Sequence, residues 1–139
     1  MSSSAGFKTQ IKVRFNHVDA AGIVFYPRYY EMLNEVVERW LEEGLGTSFR
    51  ELHLERGLGL PARRITVDFA KPSRLGDLLT FTLQVSAIGR SAITLQITCD
   101  GAGEARLVAE LVLVSVSLEP LAAVPISDEL RARMDQFTV

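Results

Sequence analysis

Cysteine is nearly absent: Cys99 is the only one in 139 residues. That excludes an internal disulfide and any zinc site built on several thiolates. Histidine is almost as scarce. His17 and His53 are the only two, and their spacing matches no metal-ligand motif, so no histidine-held metal is expected, although carboxylates could still bind one. No surplus of positive charge exists. Fifteen Lys and Arg stand against 17 Asp and Glu, for a net charge of -2, whereas nucleic-acid-binding domains normally carry a basic excess. Long apolar runs are missing too. The best stretch, Leu107 to Leu118, is interrupted by Glu110 and two serines and falls short of the roughly 18 residues that a membrane helix needs. Met1 to Lys8 holds three serines and no apolar core, unlike a secretory signal. The expectation is a soluble protein of the reducing cytoplasm, with neither nucleic acid nor membrane as partner.

What is present suits one globular domain spanning residues 1–139, with residues 1–7 as a flexible lead-in. Hydrophobic residues make up 47% and charged residues 23%, which argues against disorder. A chain of this length buries about two thirds of its unfolded surface and needs no staple. Lys8 to Phe15 reads as a strand, with Ile11, Val13 and Phe15 alternating against Lys12 and Arg14. Asn16 to Gly22 reads as loop. From Arg28 to Glu43, Tyr29, Leu33, Val36, Val37, Trp40 and Leu41 recur at helical spacing, with glutamates on the other side. Pro27 suits the start of that helix and Gly44 and Gly46 its end. Thr47 to Arg56 suits a short second helix, capped by Thr47 or Ser48.

Beyond Pro61 the period changes to two. Ile65, Val67 and Phe69 alternate with polar residues. So do Leu79, Phe81, Leu83 and Val85, and then Ile93, Leu95, Ile97 and Cys99. Gly89-Arg90-Ser91 and Gly101-Ala102-Gly103 break the runs. Leu107 to Leu118 reads as one long strand, apolar on both faces for part of its length and therefore central. Ser127 to Gln136 reads as a C-terminal helix capped by Ser127. The order gives an α+β fold, with one long helix on an antiparallel sheet. One helix covers only one face of such a sheet, so a second subunit is expected on the other face or on an edge.

The chemistry-bearing stretch is Asn16 to Glu31. It sets a carboxylate, Asp19, in a loop just before a buried helix. The first turn of that helix offers unpaired N–H groups and the positive end of the dipole. A carbonyl held there would be polarised and its oxyanion stabilised. A nearby carboxylate could attack it or activate water. Gly22 allows close backbone approach, and Phe25 and Tyr26 could line a pocket. The same residues also suit a plain turn with dipole compensation. Ser73 shows no base partner, which disfavours a serine hydrolase. Cys99 reads as a buried structural thiol. Glu31, Glu35 and Glu38 read as a solvated or subunit-facing stripe. His53 reads as a surface residue.

Val13-Arg14-Phe15, followed by Asp19-x-x-Gly22-Ile23-Val24-Phe25-Tyr26-Pro27-x-Tyr29, resembles the 4-hydroxybenzoyl-CoA thioesterase family of hot-dog fold proteins. Val67-x-Phe69-x-Lys71-Pro72-Ser73-Arg74-Leu75-Gly76-Asp77 and Gly89-Arg90-Ser91 continue the likeness in the same order. The resemblance implies a sheet of five or six strands wrapped around one long helix, assembled as a homodimer or homotetramer. It implies hydrolysis of an acyl-CoA thioester, with an aromatic or short-to-medium acyl group and no cofactor. Asp19 matches the catalytic carboxylate, and the Tyr26 N–H matches the donor to the thioester carbonyl. Arg90 and Ser91 match contacts to the nucleotide end of coenzyme A. Phe25 and Pro27 flank the acyl site. Two departures stand out. His17 replaces an acidic residue, and could orient Asp19, help place water or hydrogen-bond the loop. Asn34 replaces an acidic helix residue that meets a ring hydroxyl. The competing readings are a dehydratase or hydratase on the same fold, and a non-catalytic acyl-CoA-binding module.

Overall fold

The computed structural model describes residues 6–139. The expected flexible lead-in lies outside the described residues as far as Ala5, but its last residue does not. Phe7 opens strand β1 (Phe7–Lys12) and pairs with Leu83. Five antiparallel strands make the main sheet: β1, β3 (Ala62–Phe69), β4 (Leu78–Ile88), β5 (Ala92–Gly101) and β6 (Glu104–Val114). Their order is β1-β4-β5-β6-β3. A smaller sheet joins β2 (Leu58–Gly59), β7 (Val116–Leu118) and β8 (Leu121–Ala123) in the order β2-β7-β8.

The period-two reading is right through the sheet's centre. Leu79, Phe81, Leu83 and Val85 of β4 and Ile93, Leu95, Ile97 and Cys99 of β5 are fully buried. Each side chain withdrawn from water in this way contributes roughly 1.5–3 kcal/mol. They face helix α1 (Tyr26–Arg39), whose buried stripe is Tyr29, Met32, Leu33, Val36 and Val37. Arg39 pins the helix to β1 through Thr9 Oγ1 at 2.7 Å and the Gln10 carbonyl at 2.8 Å. Pro27 falls in the first turn, where a missing donor costs nothing.

Helix α1 runs into a π-helical turn over Trp40–Gly44, closed by the Leu45 N–H on the Trp40 carbonyl at 2.9 Å. The fully buried Trp40 ring sets its edge against Phe137, centroids 5.9 Å apart. A Cβ at Gly44 would come within 2.7 Å of Trp40 Cδ1, so glycine is required by packing there. The expected second helix is a brief turn ending in a π-helical stretch, Glu51–Glu55, with Ser48 Oγ accepting the Glu51 N–H at 3.0 Å. The expected terminal helix is α2 (Asp128–Asp135), capped by Ser127.

Three expectations need correction. The first strand ends at Lys12, and a 3-10 turn over Phe15–His17 follows, so Phe15 is 82% exposed instead of facing the core. Leu107 to Leu118 is not one strand. It divides at Ser115, whose N–H turns to the Ser91 carbonyl at 2.7 Å, and β7 then enters the smaller sheet. The sheet's outer face is also not broadly apolar. Thr80, Thr82, Gln84, Thr94, Gln96, Thr98 and Glu110 sit in register across it. Exposed apolar surface lies instead along β3, where Ile65 and Phe69 keep 41% and 49% exposure.

Candidate active site

The stretch from Asp19 to Ile23 is a tight hairpin. The Asp19 N–H donates to the Ile23 carbonyl and the Gly22 N–H to the Asp19 carbonyl, both at 3.0 Å, beside a Val18–Val24 bridge. Gly22 has φ +78°, a conformation that glycine adopts without penalty. Asp19 is exposed. Its Oδ1 accepts the Ala21 N–H at 2.8 Å, and no partner among the described residues meets its Oδ2. Phe25, the next residue but one after Ile23, caps α1. The hairpin therefore delivers the chain directly into the helix, and Tyr26 is the first helical residue. Its N–H has no acceptor among the described residues, as geometry demands of a first-turn donor.

A buried polar cluster beneath the hairpin holds it against the helix. The Val24 N–H donates to the Ser73 carbonyl at 2.9 Å, and Ile23 bridges Arg74. Ser73, fully buried, accepts the Tyr29 hydroxyl at 2.9 Å and Arg106 Nη1 at 3.1 Å. Arg106 also donates to the Pro72 and Gly101 carbonyls at 3.2 and 2.9 Å and to Asp77 Oδ2 at 2.8 Å. That guanidinium, with the Arg74 N–H, holds the Asp77 carboxyl below its ordinary range. Burial raises the Tyr29 phenol, while its bond to Ser73 opposes the shift. Ser73 is thus a structural hydroxyl with no base beside it. Sequence reasoning missed this cluster. The one available signal was Arg106, a lone cation leading an apolar strand.

His17 accepts the Arg14 N–H on Nδ1 at 2.8 Å, and its carbonyl takes the Phe25 N–H at 2.9 Å. It shares no hydrogen bond with Asp19 among the described residues. Burial, the largest influence, lowers its pKa; Glu35 and Glu31 oppose that, and Arg28 and Arg14 add to it. Phe25 and Tyr26 are exposed and meet edge to face, centroids 5.6 Å apart. Asn34 lies two helical turns on, about 12 Å from Tyr26 along the axis, among the residues that line an apolar cavity. Arg90 and Ser91 occupy the β4–β5 turn. The Asp19 hairpin docks on the loop that precedes β4, so the 11 residues of β4 separate the two places, about 35 Å of extended chain. One protomer does not bring Arg90 to Asp19. Arg63, Arg64 and Arg74 are exposed; Arg63 and Arg64 sit at the end of the sheet that carries that turn, where Ala62 pairs with Leu113 and Leu113 with Ile93, whereas Arg74 lies in the loop beside the Asp19 hairpin. Cys99 is fully buried, and burial pushes its thiol up to about 12.

A sequence profile now decides the family, matching residues 13–134. The chain belongs to the Thioesterase-like superfamily. An Escherichia coli (strain K12) protein, the long-chain acyl-CoA thioesterase FadM, is 32% identical over 134 residues, covering 94% of this chain and 98% of its own. The solved structure of BH1999 gentisyl-coenzyme A thioesterase superimposes with a TM-score of 0.84 at 26% identity, over 92% of this chain and 99% of that one. The 4-hydroxybenzoyl CoA thioesterase of Pseudomonas sp. strain CBS-3 shares the fold, with a TM-score of 0.84 at 20% identity over 92% and 98% of the two chains. The hot-dog architecture and the thioester-hydrolase class read from the sequence both stand for this thioesterase. No helix among its described residues is long and apolar enough to cross a membrane.

Proposed function

We propose that this thioesterase cleaves an acyl-CoA thioester to the free acid and coenzyme A, with Asp19 as the reacting carboxylate. The observation that carries the reading is the shared hairpin. It presents an open carboxylate oxygen and, seven residues later, a free N–H at the positive end of a buried helix. As the acyl carbon becomes tetrahedral, charge collects on its carbonyl oxygen, and the Tyr26 N–H opposes that charge. Asp19 acts in one of two ways. It attacks the acyl carbon, expels the CoA thiolate and leaves a mixed anhydride for water to open. Alternatively it takes a proton from a water whose oxygen forms the new C–O bond as the C–S bond breaks. In both, the thiolate ends protonated and the acid is released. Gly22 leaves room for the thioester, Phe25 and Pro27 shape the acyl entrance, and His17 fixes the loop through Arg14.

The proposal includes a homodimer or homotetramer in the cytoplasm, with each site built from two chains and no cofactor. The exposed apolar edge at β3 supports the pairing, since an unpaired strand edge carrying Ile65 and Phe69 invites a second copy. Arg90 and Ser91 then grip the nucleotide end of coenzyme A at the partner's Asp19 hairpin. A lone buried thiol suits a reducing compartment. Thiol release from acyl-CoA is the test. Asp19→Asn keeps the shape and should lower kcat at least ~10²-fold with an unchanged melting temperature. Turnover within a few-fold of wild type would move the reacting carboxylate elsewhere, with Glu35 or Glu38 next.

A further inference from the structure

The segment from Arg14 to Phe25 carries Asp19, yet it is fastened mostly to itself. Its 3-10 turn and its hairpin close on their own carbonyls and side chains. Among the described residues it makes one main-chain hydrogen bond beyond itself and the helix it enters. That bond runs from the Val24 N–H to the Ser73 carbonyl at 2.9 Å, beside the Ile23–Arg74 bridge. The first turn of α1 is tied to the same residue. Tyr29, about one turn past Tyr26, is 4% exposed and donates its hydroxyl to Ser73 Oγ at 2.9 Å. Ser73 therefore holds the hairpin by its carbonyl and the helix by its hydroxyl. Arg106 keeps Ser73 from yielding. It donates to Ser73 Oγ at 3.1 Å and to the Gly101 carbonyl of β5 at 2.9 Å, so the loop is anchored to the sheet. Each buried polar group that left such a network would go unsatisfied, which makes the arrangement stiff.

We propose that Ser73 is a positioning residue for thioester hydrolysis. It sets the gap between the Asp19 carboxylate and the Tyr26 N–H at the width at which both act on one carbonyl group. The proposal rests on the reading that these two groups do so. Ser73 has no exposed surface and does not touch the substrate itself. It acts through Val24 on the hairpin and through Tyr29 on the helix. Reacting groups displaced by about 1 Å lose on the order of 10²-fold in rate, so a joint that fixes both arms bears on turnover more than on binding.

Two variants break the helix half of the joint and leave the Ser73 carbonyl on Val24. Tyr29→Phe removes the donor and keeps the ring on Phe69. Ser73→Ala removes the acceptor, and Arg106 retains Asp77 and two carbonyls. Each should lower kcat at least ~10-fold and leave KM within about two-fold. Since both cut one link, the double variant should stay within about two-fold of the slower single one. Titration calorimetry with the unhydrolysable thioether S-butyl-CoA counts the folded sites. Having no carbonyl, this probe does not sense the gap, so each variant should bind it at wild-type stoichiometry and affinity. Met134→Ala, at a fully buried residue of α2 near the Arg90 turn, is the control for lost stability alone. Its melting temperature should fall while kcat per thioether site holds. Wild-type kcat in Tyr29→Phe or Ser73→Ala overturns the proposal. So do losses accounted for by fewer thioether sites, losses that multiply in the double variant, or an equal loss per site in Met134→Ala. An active Asp19→Asn enzyme would sink the reading beneath the proposal. Unimpaired Tyr29→Phe and Ser73→Ala beside an inactive Asp19→Asn sink the positioning role alone.

Discussion

The Nδ1 atom of His17 accepts a backbone N–H, so the imidazole must be unprotonated at that atom for the turn to hold. Burial already favours the neutral ring and pulls its pKa below 6.5, against the pull of Glu35 and Glu31. An unfolded histidine titrates near 6.5, so below that pH the unfolded chain binds a proton that the folded chain resists. Stability that is whole above about pH 6.5 is therefore lost as the pH falls through the folded value. The carbonyl of the same residue receives the Phe25 N–H at the helix cap, so the loss falls on the entrance to α1. We expect the wild-type melting temperature to decline between about pH 6.5 and 5. His17→Asn, whose side-chain oxygen can replace Nδ1 as acceptor, should flatten that decline. An unaltered pH profile in the variant would assign the acid sensitivity to another group. At this scale the position of Asp19, Gly22 and Tyr26 just ahead of a helix start was legible from local spacing, while the reacting role proposed for them rests on the resemblance. Tyr29 and Phe69, whose ring centroids lie 5.6 Å apart, were not legible as neighbours. Their meeting depends on how β3 lies along α1, which no local pattern records.

Among elements, alternation was read correctly wherever a strand's partners lie on both sides. It failed where a strand ends. Phe15 keeps the parity of Ile11 and Val13, yet β1 stops at Lys12 and a 3-10 turn carries the ring outward. Leu107 to Leu118 looked doubly apolar because it passes from one sheet to another at Ser115. The loop before β4 was read as a turn-rich connection, and it is in fact tied down by Arg106. Residues 29, 73, 77 and 106 share that cluster, and separations this long leave no periodic trace. Arg106 is almost wholly buried and Asp77 is a third exposed. Asp77→Asn leaves the guanidinium only the more distant carboxylate of Glu104, at 3.8 Å. We expect a loss of about 2–3 kcal/mol in denaturant unfolding, below the figure for a fully buried pair because water reaches Asp77. The wild-type carboxyl is held below 3.8, so its contribution is complete above about pH 4 and disappears as pH falls through the folded value. Stability of the variant should accordingly vary less with pH on the acid side. An unchanged slope there would remove Asp77 from the account of acid unfolding. Because Ser73 also receives the Val24 N–H, activity should fall with this stability even though no clustered side chain carries the reacting group.

For the whole molecule, the decisive geometry is the length of β4. The Asp19 hairpin rests on the loop at one end, and Arg90 sits in the turn at the other. The segment before α2 and α2 itself hold that far turn in place, since the Ile126 N–H donates to the Arg90 carbonyl at 2.9 Å and Arg131 donates to the Gly89 carbonyl at 2.7 Å. Nothing in this packing bends Arg90 back toward its own hairpin. The proposed homodimer would bring the two together if its two-fold axis sets each far turn against the partner's near end. Two inactive proteins then make the test. Asp19→Asn lacks the carboxylate, and Arg90→Glu repels the phosphates of coenzyme A. In a mixed dimer of the two, one site combines the intact Asp19 of one chain with the intact Arg90 of the other, and the second site carries both defects. Activity should return to up to about half the wild-type value per dimer, in proportion to the hybrid present. If both residues served one chain's site, every site in the mixture would keep one defect. Proven hybrid formation with no recovered thiol release would therefore place the whole site within a single protomer.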